Sequence, residues 1–518
     1  MEKDFNITGL CFPDQHYMAD ISKKLEETIT MIRKGVYFTI NRPRQYGKTT
    51  TLYTLVDLLT ATGDYIVFNM SFEGLGNAMF ENEATFSQGF ARLLRQMVEE
   101  SAFSYLEWYD TESKSVHNLE SLSSFITKLS KKIPKKLVLL IDEVDQSSNN
   151  QLFVLFLAML RNKFLQRSRF KTFHSVVLAG LHDVKTLKLK LRPDEEQKFN
   201  SPWNIAADYK VDMNLHPFEI KPMLDEYCLN KGVTMDTQWV ADRLFYYTSG
   251  YPFLVSKLCK TIDEDILPEK TEKTWTFDDI EESVRLLLKE SNTNFDSLIK
   301  NLENNQALYD FVYRIVMDGD IIRFNIHEPL IIMGLLHGIF KTNGQIKVHN
   351  RIYEQLLYDY MTAKTAVAMK SHFDYAGHFT LENDALDMKA VLLKFQQFMK
   401  EEFSEKDKTF LEKQGRLVFL SFLSPILNGK GNSFKEVQTS EEKRLDIVVS
   451  YSFHTYIVEL KRWYGEESHK KGIKQLADYL EIHSVREGFL VIFEYNKVKS
   501  WRSEWIDYEG KRIFAVWV

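Results

Sequence analysis

The chain has 518 residues, 44% apolar and 27% charged, ordinary values for a globular protein of roughly two to four domains. A formal net charge of −6 argues against indiscriminate coating of nucleic acid, though not against a local basic groove. No apolar run approaches the ~20 residues of a membrane helix, no leader pattern opens the chain, and Cys11, Cys228 and Cys259 lack metal or disulfide spacing, so the expected setting is a reducing cytoplasm without a membrane partner.

The first predicted element is a helix within Tyr17 to Gly35, with Ile21, Leu25, Ile29 and Ile32 on one stripe. Val36 to Thr50 then reads Val-Tyr-Phe-Thr-Ile-Asn-Arg-Pro-Arg-Gln-Tyr-Gly-Lys-Thr-Thr, followed by a helical pattern through Leu52, Leu55, Val56 and Leu59. Strand, loop and helix N-terminus in that order make a phosphate cradle. Gly47 is expected to let the backbone approach ATP phosphates, Lys48 to reach the β- and γ-phosphates, and Thr49 to offer its hydroxyl to Mg²⁺. Arg44 and Thr50 complete the expected nucleotide contacts. The usual first glycine of such a loop is Arg42 here, and Pro43 stiffens the loop.

Tyr65-Ile-Val-Phe-Asn-Met-Ser predicts a second strand. Leu137-Val-Leu-Leu-Ile-Asp142-Glu143 is a continuous apolar run ending in two carboxylates, as a buried parallel strand with a ligand edge requires. Asp142 is expected to hold Mg²⁺ through water and Glu143 to orient the attacking water. Ser175-Val-Val-Leu-Ala-Gly reads as a further strand, and Val211-Asp-Met-Asn-Leu as a fifth. Strands alternating with helical stretches predict a doubly wound parallel sheet. Lys185 to Arg192 alternates lysine with apolar residues, which suits a basic patch or an exposed edge strand. Arg161, Arg167, Arg169 and Arg192 are the candidates for an arginine finger.

This part of the chain resembles the AAA-like ATPases that are fused to PD-(D/E)xK nucleases in bacteria. The residues that carry the resemblance are the Arg-Pro-Arg-x-x-Gly-Lys loop from Arg42 to Lys48, Arg192-Pro-Asp-Glu-Glu, Ser201-Pro-Trp-Asn-Ile and Ser249-Gly-Tyr-Pro-Phe-Leu. The last is similar to the Gly-x-Pro element in the helical lid of STAND and origin-recognition ATPases. The resemblance implies an α/β P-loop NTPase core, AAA- or STAND-like, over residues 1–215 and a helical lid over 216–300. It also implies ATP and Mg²⁺ as cofactors, and a homo-oligomer formed through the ATPase domain.

From about Asn301 the pattern changes. Ala307 to Val316 and His327 to His337 read as helices, followed by strand, Asn343-Gly344 turn and strand. Helices before a small hairpin suggest a winged helix over 301–372, a module that contacts DNA or protein. Phe373 to Asp384 reads as a polar connector, and residues 385–518 as a further α/β domain.

Within it, Lys443 to Lys461 holds two alternating apolar runs around a short polar tip, a β-hairpin signal. A tight turn at Ser452-Phe453 sets Asp446 opposite Glu459, with Cβ atoms about 5 Å apart. Leu445, Ile447 and Val449 then face the core with Leu460, Val458 and Tyr456. The other face presents Asp446, Glu459 and Lys461. Two close carboxylates make an oxygen site for Mg²⁺, where a bound water can be activated and a phosphoryl oxygen polarised. A lysine beside them can hold the water or neutralise the reacting phosphate. Asp446 with Glu459-Leu-Lys461 resembles the PD-(D/E)xK nuclease superfamily, with Arg444-Leu445 where a proline is usual. Gln475 and Tyr479 resemble the helix after the core hairpin in that superfamily, Gln475 joining the catalytic set. Glu412 resembles the acidic residue of its first helix. The implied domain is a restriction-endonuclease-like α/β fold that cuts nucleic acid, with DNA the expected partner.

The leading expectation is therefore an ATPase that gates or positions a metal-dependent nuclease, in restriction, mobile-element or defence work. The alternative is a STAND-like nucleotide switch with slow turnover, whose nuclease-like domain is an effector or a DNA clamp.

Overall fold

The computed structural model describes residues 3–144, 151–180, 203–317, 320–368, 379–381, 385–402, 431–436, 446–451, 454–463, 465–482, 485–494 and 501–518, with isolated residues between 415 and 427. Two compact units emerge. One comprises Met1–Glu290 with Ile332–Ile339, the other Ser291–Ile331 with Phe340–Val518.

In the first unit, α1 (Ser22–Arg33) precedes β1 (Tyr37–Asn41), and α2 (Lys48–Ala61) follows it. Then come β2 (Tyr65–Ser71), α3 (Glu83–Ser101), α4 (Leu106–Glu112), α5 (Leu119–Lys132), β3 (Lys136–Asp142), α6 (Gln151–Leu165) and β4 (Ser175–Gly180). The described strands form one parallel sheet in the order β1-β4-β3-β2. Leu137 to Asp142 and all of β4 are buried. The apolar run is continuous because helices cover both faces of such a sheet. Tyr37, Phe68, Phe90, Leu139, Phe156, Leu178 and Trp203 share one core.

The expected fifth strand is absent. Residues 211–215 are irregular, and their polar groups go elsewhere. Arg42 Nη2 donates to Val211 O at 2.9 Å, and Leu215 N donates to Gly250 O at 2.7 Å. A guanidinium and a neighbouring turn have taken the place of a strand partner. The helices α7 (Pro217–Lys231), α8 (Thr237–Thr248), α9 (Pro252–Thr261) and α10 (Phe277–Lys289) follow before Glu290. Pro217 and Pro252 each sit in a first helical turn, where a missing N–H costs nothing.

The second unit opens with α11 (Thr293–Glu303), α12 (Gln306–Val316) and β5 (Ile322–Arg323). The chain then forms α13 (Pro329–Leu336), β6 (Phe340–Thr342), β7 (Gln345–Val348) and α14 (Arg351–Ala368). The small antiparallel sheet has the order β5-β7-β6, and Gly344 takes the turn at φ +78°. Helix α15 (Met388–Glu402) leads to β8 (Gly431–Glu436), β9 (Asp446–Tyr451), β10 (His454–Arg462), α16 (Glu466–Ile482), β11 (Glu487–Phe493), β12 (Ser503–Tyr508) and β13 (Lys511–Trp517). These strands form a six-stranded sheet, β12-β13-β11-β10-β9-β8. Its centre, β10-β11-β13, is parallel, and its flanks are antiparallel. Helix α16 buries Ile473, Leu476, Tyr479 and Leu480 against Ile457, Leu490 and Trp517. The features expected at Lys185 to Arg192, Ser201-Pro202, Glu412, Ser452-Phe453 and most of 373–384 lie outside the described residues. Among those described, no helix is long and apolar enough to cross a membrane.

Candidate functional site

At the carboxyl edge of the first sheet, β1 runs into the loop that ends at Gly47, the N-cap of α2. Gly47 has φ +75°, and a Cβ there would meet nothing within 4 Å. Glycine adopts this left-handed backbone without strain. Lys48 is buried, and its ammonium donates to Arg42 O at 3.1 Å and Pro43 O at 2.9 Å. Thr49 Oγ1 donates to Asp142 Oδ2 at 2.6 Å, joining the start of α2 to the end of β3. Asp142 Oδ1 accepts the Glu143 amide at 2.9 Å. Gln45 and Glu143 hold φ +56° and +51°. Left-handed backbone at residues other than glycine is uncommon and collects at functional sites. Thr50 Oγ1 accepts the Cys11 amide at 3.3 Å, so the lead-in segment reaches the first turn of α2. Arg44 has an exposed side chain. Its carbonyl accepts the Tyr251 hydroxyl at 2.6 Å.

The loop is braced from behind. Tyr46 packs edge-on against Tyr251 with centroids 4.6 Å apart, and its hydroxyl bonds Asn214 Oδ1. Burial pushes the Tyr46 phenol far above its usual range, so it stays a donor. Gly250 has φ +75°, and a Cβ there would lie 2.3 Å from Leu215 O. Gly338 has φ +71°, and its Cβ would lie 2.7 Å from Pro43 Cγ. The Ser-Gly-Tyr-Pro signal marked Gly250. Nothing in the local sequence marks Gly338, whose partner Pro43 belongs to a distant part of the chain.

The second group lies on the six-stranded sheet. Asp446 on β9 is in register with Glu459 on β10, as Ile447 is with Val458 and Val449 with Tyr456. Tyr451 pairs with His454. Glu436 on β8 also stands in register with Asp446, so three acidic positions occupy one row across β8, β9 and β10. Glu436 carries no local sequence signal for this position. The segment between β8 and β9 carries no turn signal that would have set its register. Glu459 is 2% exposed, and its carboxylate meets the Lys461 ammonium at 2.8 Å. Lys461 Nζ donates to Gln475 Oε1 at 3.2 Å. Gly472, one turn earlier on α16, would bring a Cβ within 3.2 Å of Lys461 Cε. Helix α16 therefore holds the lysine from above, at Gly472 and Gln475. Tyr479 is part of the core beneath. Among the described residues no three His, Cys, Asp or Glu side chains gather as a metal cluster.

A family model described as an AAA-like domain matches residues 14–359. The match continues beyond the first unit through α11 to β7 and into α14, and leaves residues 360–518 outside. No curated protein matches the chain. Among solved structures, a Walker-type ATPase of Pyrococcus abyssi is 10% identical, with TM-score 0.45, covering 68% of this chain and 99% of its own. The Aeropyrum pernix ORC1 protein, solved in complex with DNA, is 12% identical with TM-score 0.30, covering 67% and 94%. A Thermotoga maritima RuvB variant is 14% identical with TM-score 0.34, covering 66% and 95%. At these scores the structural likenesses decide nothing further.

Proposed function

The chain belongs to the AAA-like domain family, and on that premise we propose that its first unit binds and hydrolyses ATP while its last α/β region cuts DNA. The observation that carries the first half is the Thr49–Asp142 hydrogen bond beside the left-handed Gly47 and the buried Lys48. These residues fit Mg²⁺-ATP. Thr49 and Asp142 would hold the ion, and Lys48 and the α2 N-terminus would hold phosphates. Bound Mg²⁺ neutralises charge on the β- and γ-phosphates. Glu143 is half-buried one residue past Asp142 and is the group to orient a water. Arg44 and Thr50 flank the cradle as further contacts. Lys48→Ala is expected to abolish ATP turnover, read by phosphate release. Turnover at the original rate would refute the assignment.

The second half is supported by the register pair Asp446 and Glu459, with Lys461 clamped by Gln475. We read this region as a PD-(D/E)xK nuclease-like domain. Two adjacent carboxylate positions fit one Mg²⁺, which in such a site activates water and polarises phosphate. Lys461 would hold the water or neutralise the phosphate, and Gln475 would fix its direction. We read α12, α13 and the β5-β7-β6 sheet, which come between the two regions in the chain, as a winged-helix-like module. The ATPase would gate the nuclease, as a monomer or a homo-oligomer. The test is cleavage of plasmid and single-stranded DNA with Mg²⁺ or Mn²⁺, with and without ATP. Asp446→Ala is expected to lower the cutting rate by at least ~100-fold. ATP-dependent assembly at far below one turnover per minute, with no cutting, would favour a nucleotide switch instead.

A further inference from the structure

Along β10, alternate residues share a face. Ile457, Glu459, Lys461 and Trp463 follow one another on the side that α16 covers. Their exposure rises outward: Ile457 is sealed, Glu459 is 2% exposed, the Lys461 side chain is 23% exposed, and Trp463 is half-buried at the rim. Trp463 N donates to Phe493 O at 3.0 Å, which continues the pairing with β11 past the end of the strand. Trp463 is therefore held at the carboxyl edge of the parallel strands, its Cα about 7 Å from that of Lys461 by strand geometry.

Around it stands an unusual group. His469, in the first turn of α16, has its ring 5.5 Å from Trp463 and 5.4 Å from Trp517. The Arg502 guanidinium lies 5.7 Å from the Trp463 centroid and 4.0 Å from that of Trp517. Its backbone is pinned, because Arg502 O accepts both Trp517 N and Gln396 Nε2 at 2.9 Å. Trp517 is 1% exposed, and its indole N–H has no hydrogen-bond partner among the described residues. Arg502 itself is exposed. Lys470, Lys471 and Lys474, clustered on α16, are exposed as well. Among the described residues none of these four cations makes an ion pair, whereas Lys461 and Lys511 do. Helix α16 also carries exposed Glu466, Glu467, Asp478 and Glu481, so the basic character is local to residues 470–474.

We propose that Trp463, with His469 and Arg502, is a stacking platform for an unpaired base, so that the strand presented at Lys461 is single-stranded nucleic acid. An indole beside a guanidinium offers a π-face and a cation together, the combination that holds single strands without sequence preference. The exposed lysines at 470, 471 and 474 follow His469 on the solvent side of α16 and add positive charge that attracts phosphates. A duplex keeps its base faces stacked on one another, so the platform has nothing to engage there. The distance to Lys461 is comparable to the step between successive phosphates of an extended strand. The placement of the strand at Lys461 rests on the proposed nuclease reading; the platform does not.

The experiment uses the full chain carrying Asp446→Ala, so that binding is read without cutting. Anisotropy of a labelled 15-nucleotide single strand, as DNA and as RNA, is compared with the matching duplex. Adding Trp463→Ala should weaken single-strand binding by about 5- to 150-fold, the range for losing one base–aromatic stack, and leave duplex binding unchanged. Trp463→Phe keeps a ring against the core and should retain most of the affinity, which separates stacking from misfolding. Arg502→Ala should weaken binding and flatten its salt dependence. Equal affinity for single strand and duplex, or single-strand affinity unmoved by Trp463→Ala and Arg502→Ala, overturns the platform. Cutting by the unmutated chain together with that result would leave the nuclease reading standing. Trp463-dependent binding without any cutting would do the reverse.

Discussion

Thr49 and Asp142 are 93 residues apart in the chain and 2.6 Å apart in space. Each motif is short enough to arise by accident, and their contact supports reading the two as one proposed site. Thr49→Val should therefore weaken Mg²⁺-dependent nucleotide binding more than metal-free binding, measurable by titrating ATP with and without Mg²⁺. Gly472 makes the same kind of argument in the other unit. A glycine inside a helix costs about 0.5–1 kcal/mol relative to alanine, yet a methyl there would press on Lys461 Cε. The flexible lysine yields more easily than the backbone, so its bond to Gln475 suffers. Gly472→Ala is expected to leave thermal stability unchanged or slightly raised while lowering the cutting rate about tenfold. A fall in both together would mean that the glycine serves packing alone.

At the scale of elements, α9 and the turn before it decide how the phosphate loop is held. Gly250 cannot accept a side chain, for its Cβ would lie 2.3 Å from Leu215 O. Gly250→Ala should loosen the Tyr251–Arg44 brace and reduce ATP affinity, with Lys48 and Thr49 intact; unchanged affinity would show the brace to be idle. Between α5 and α6, Lys163 lies buried, donating to Ser123 O at 2.6 Å and Thr127 Oγ1 at 2.7 Å. Burial holds its ammonium down to about 8, below the ~10.4 of an exposed lysine. The unfolded chain therefore binds more protons between those values, and the contribution of Lys163 to stability rises with pH across that window. Denaturant melts should show the unmutated chain gaining stability relative to Lys163→Met as pH climbs from 7 to 10. Parallel curves would place the ammonium in contact with water. Within the same layer, Phe90 is fully buried with its ring 4.8 Å from Phe156, and Phe90→Ala should cost about 3–5 kcal/mol.

For the whole molecule, each proposed centre lies within a single unit, so disabling one should leave the chemistry of the other. Asp446→Ala should retain ATP turnover, and Lys48→Ala should retain metal-dependent cutting while losing any response to ATP. Loss of both activities from either change would mean that the two units share one site. Much of this was legible in the sequence. Continuous apolar runs mark β2, β3 and β4 because both faces of the parallel sheet are covered. Alternation sets the β9–β10 register because a slip of one residue would exchange the Glu459 and Lys461 face under α16 with the apolar face of Val449 and Val458. The strand expected at 211–215 failed because a short apolar segment does not reveal that Arg42 and Gly250 take its polar groups. Gly338 against Pro43, Glu436 in the row of Asp446 and Glu459, and Arg502 beside Trp463 were invisible for a related reason. Periodicity and turn chemistry act between near neighbours and are written locally. Which distant residues meet at a sheet edge depends on strand order and helix packing, and those are properties of the folded chain alone.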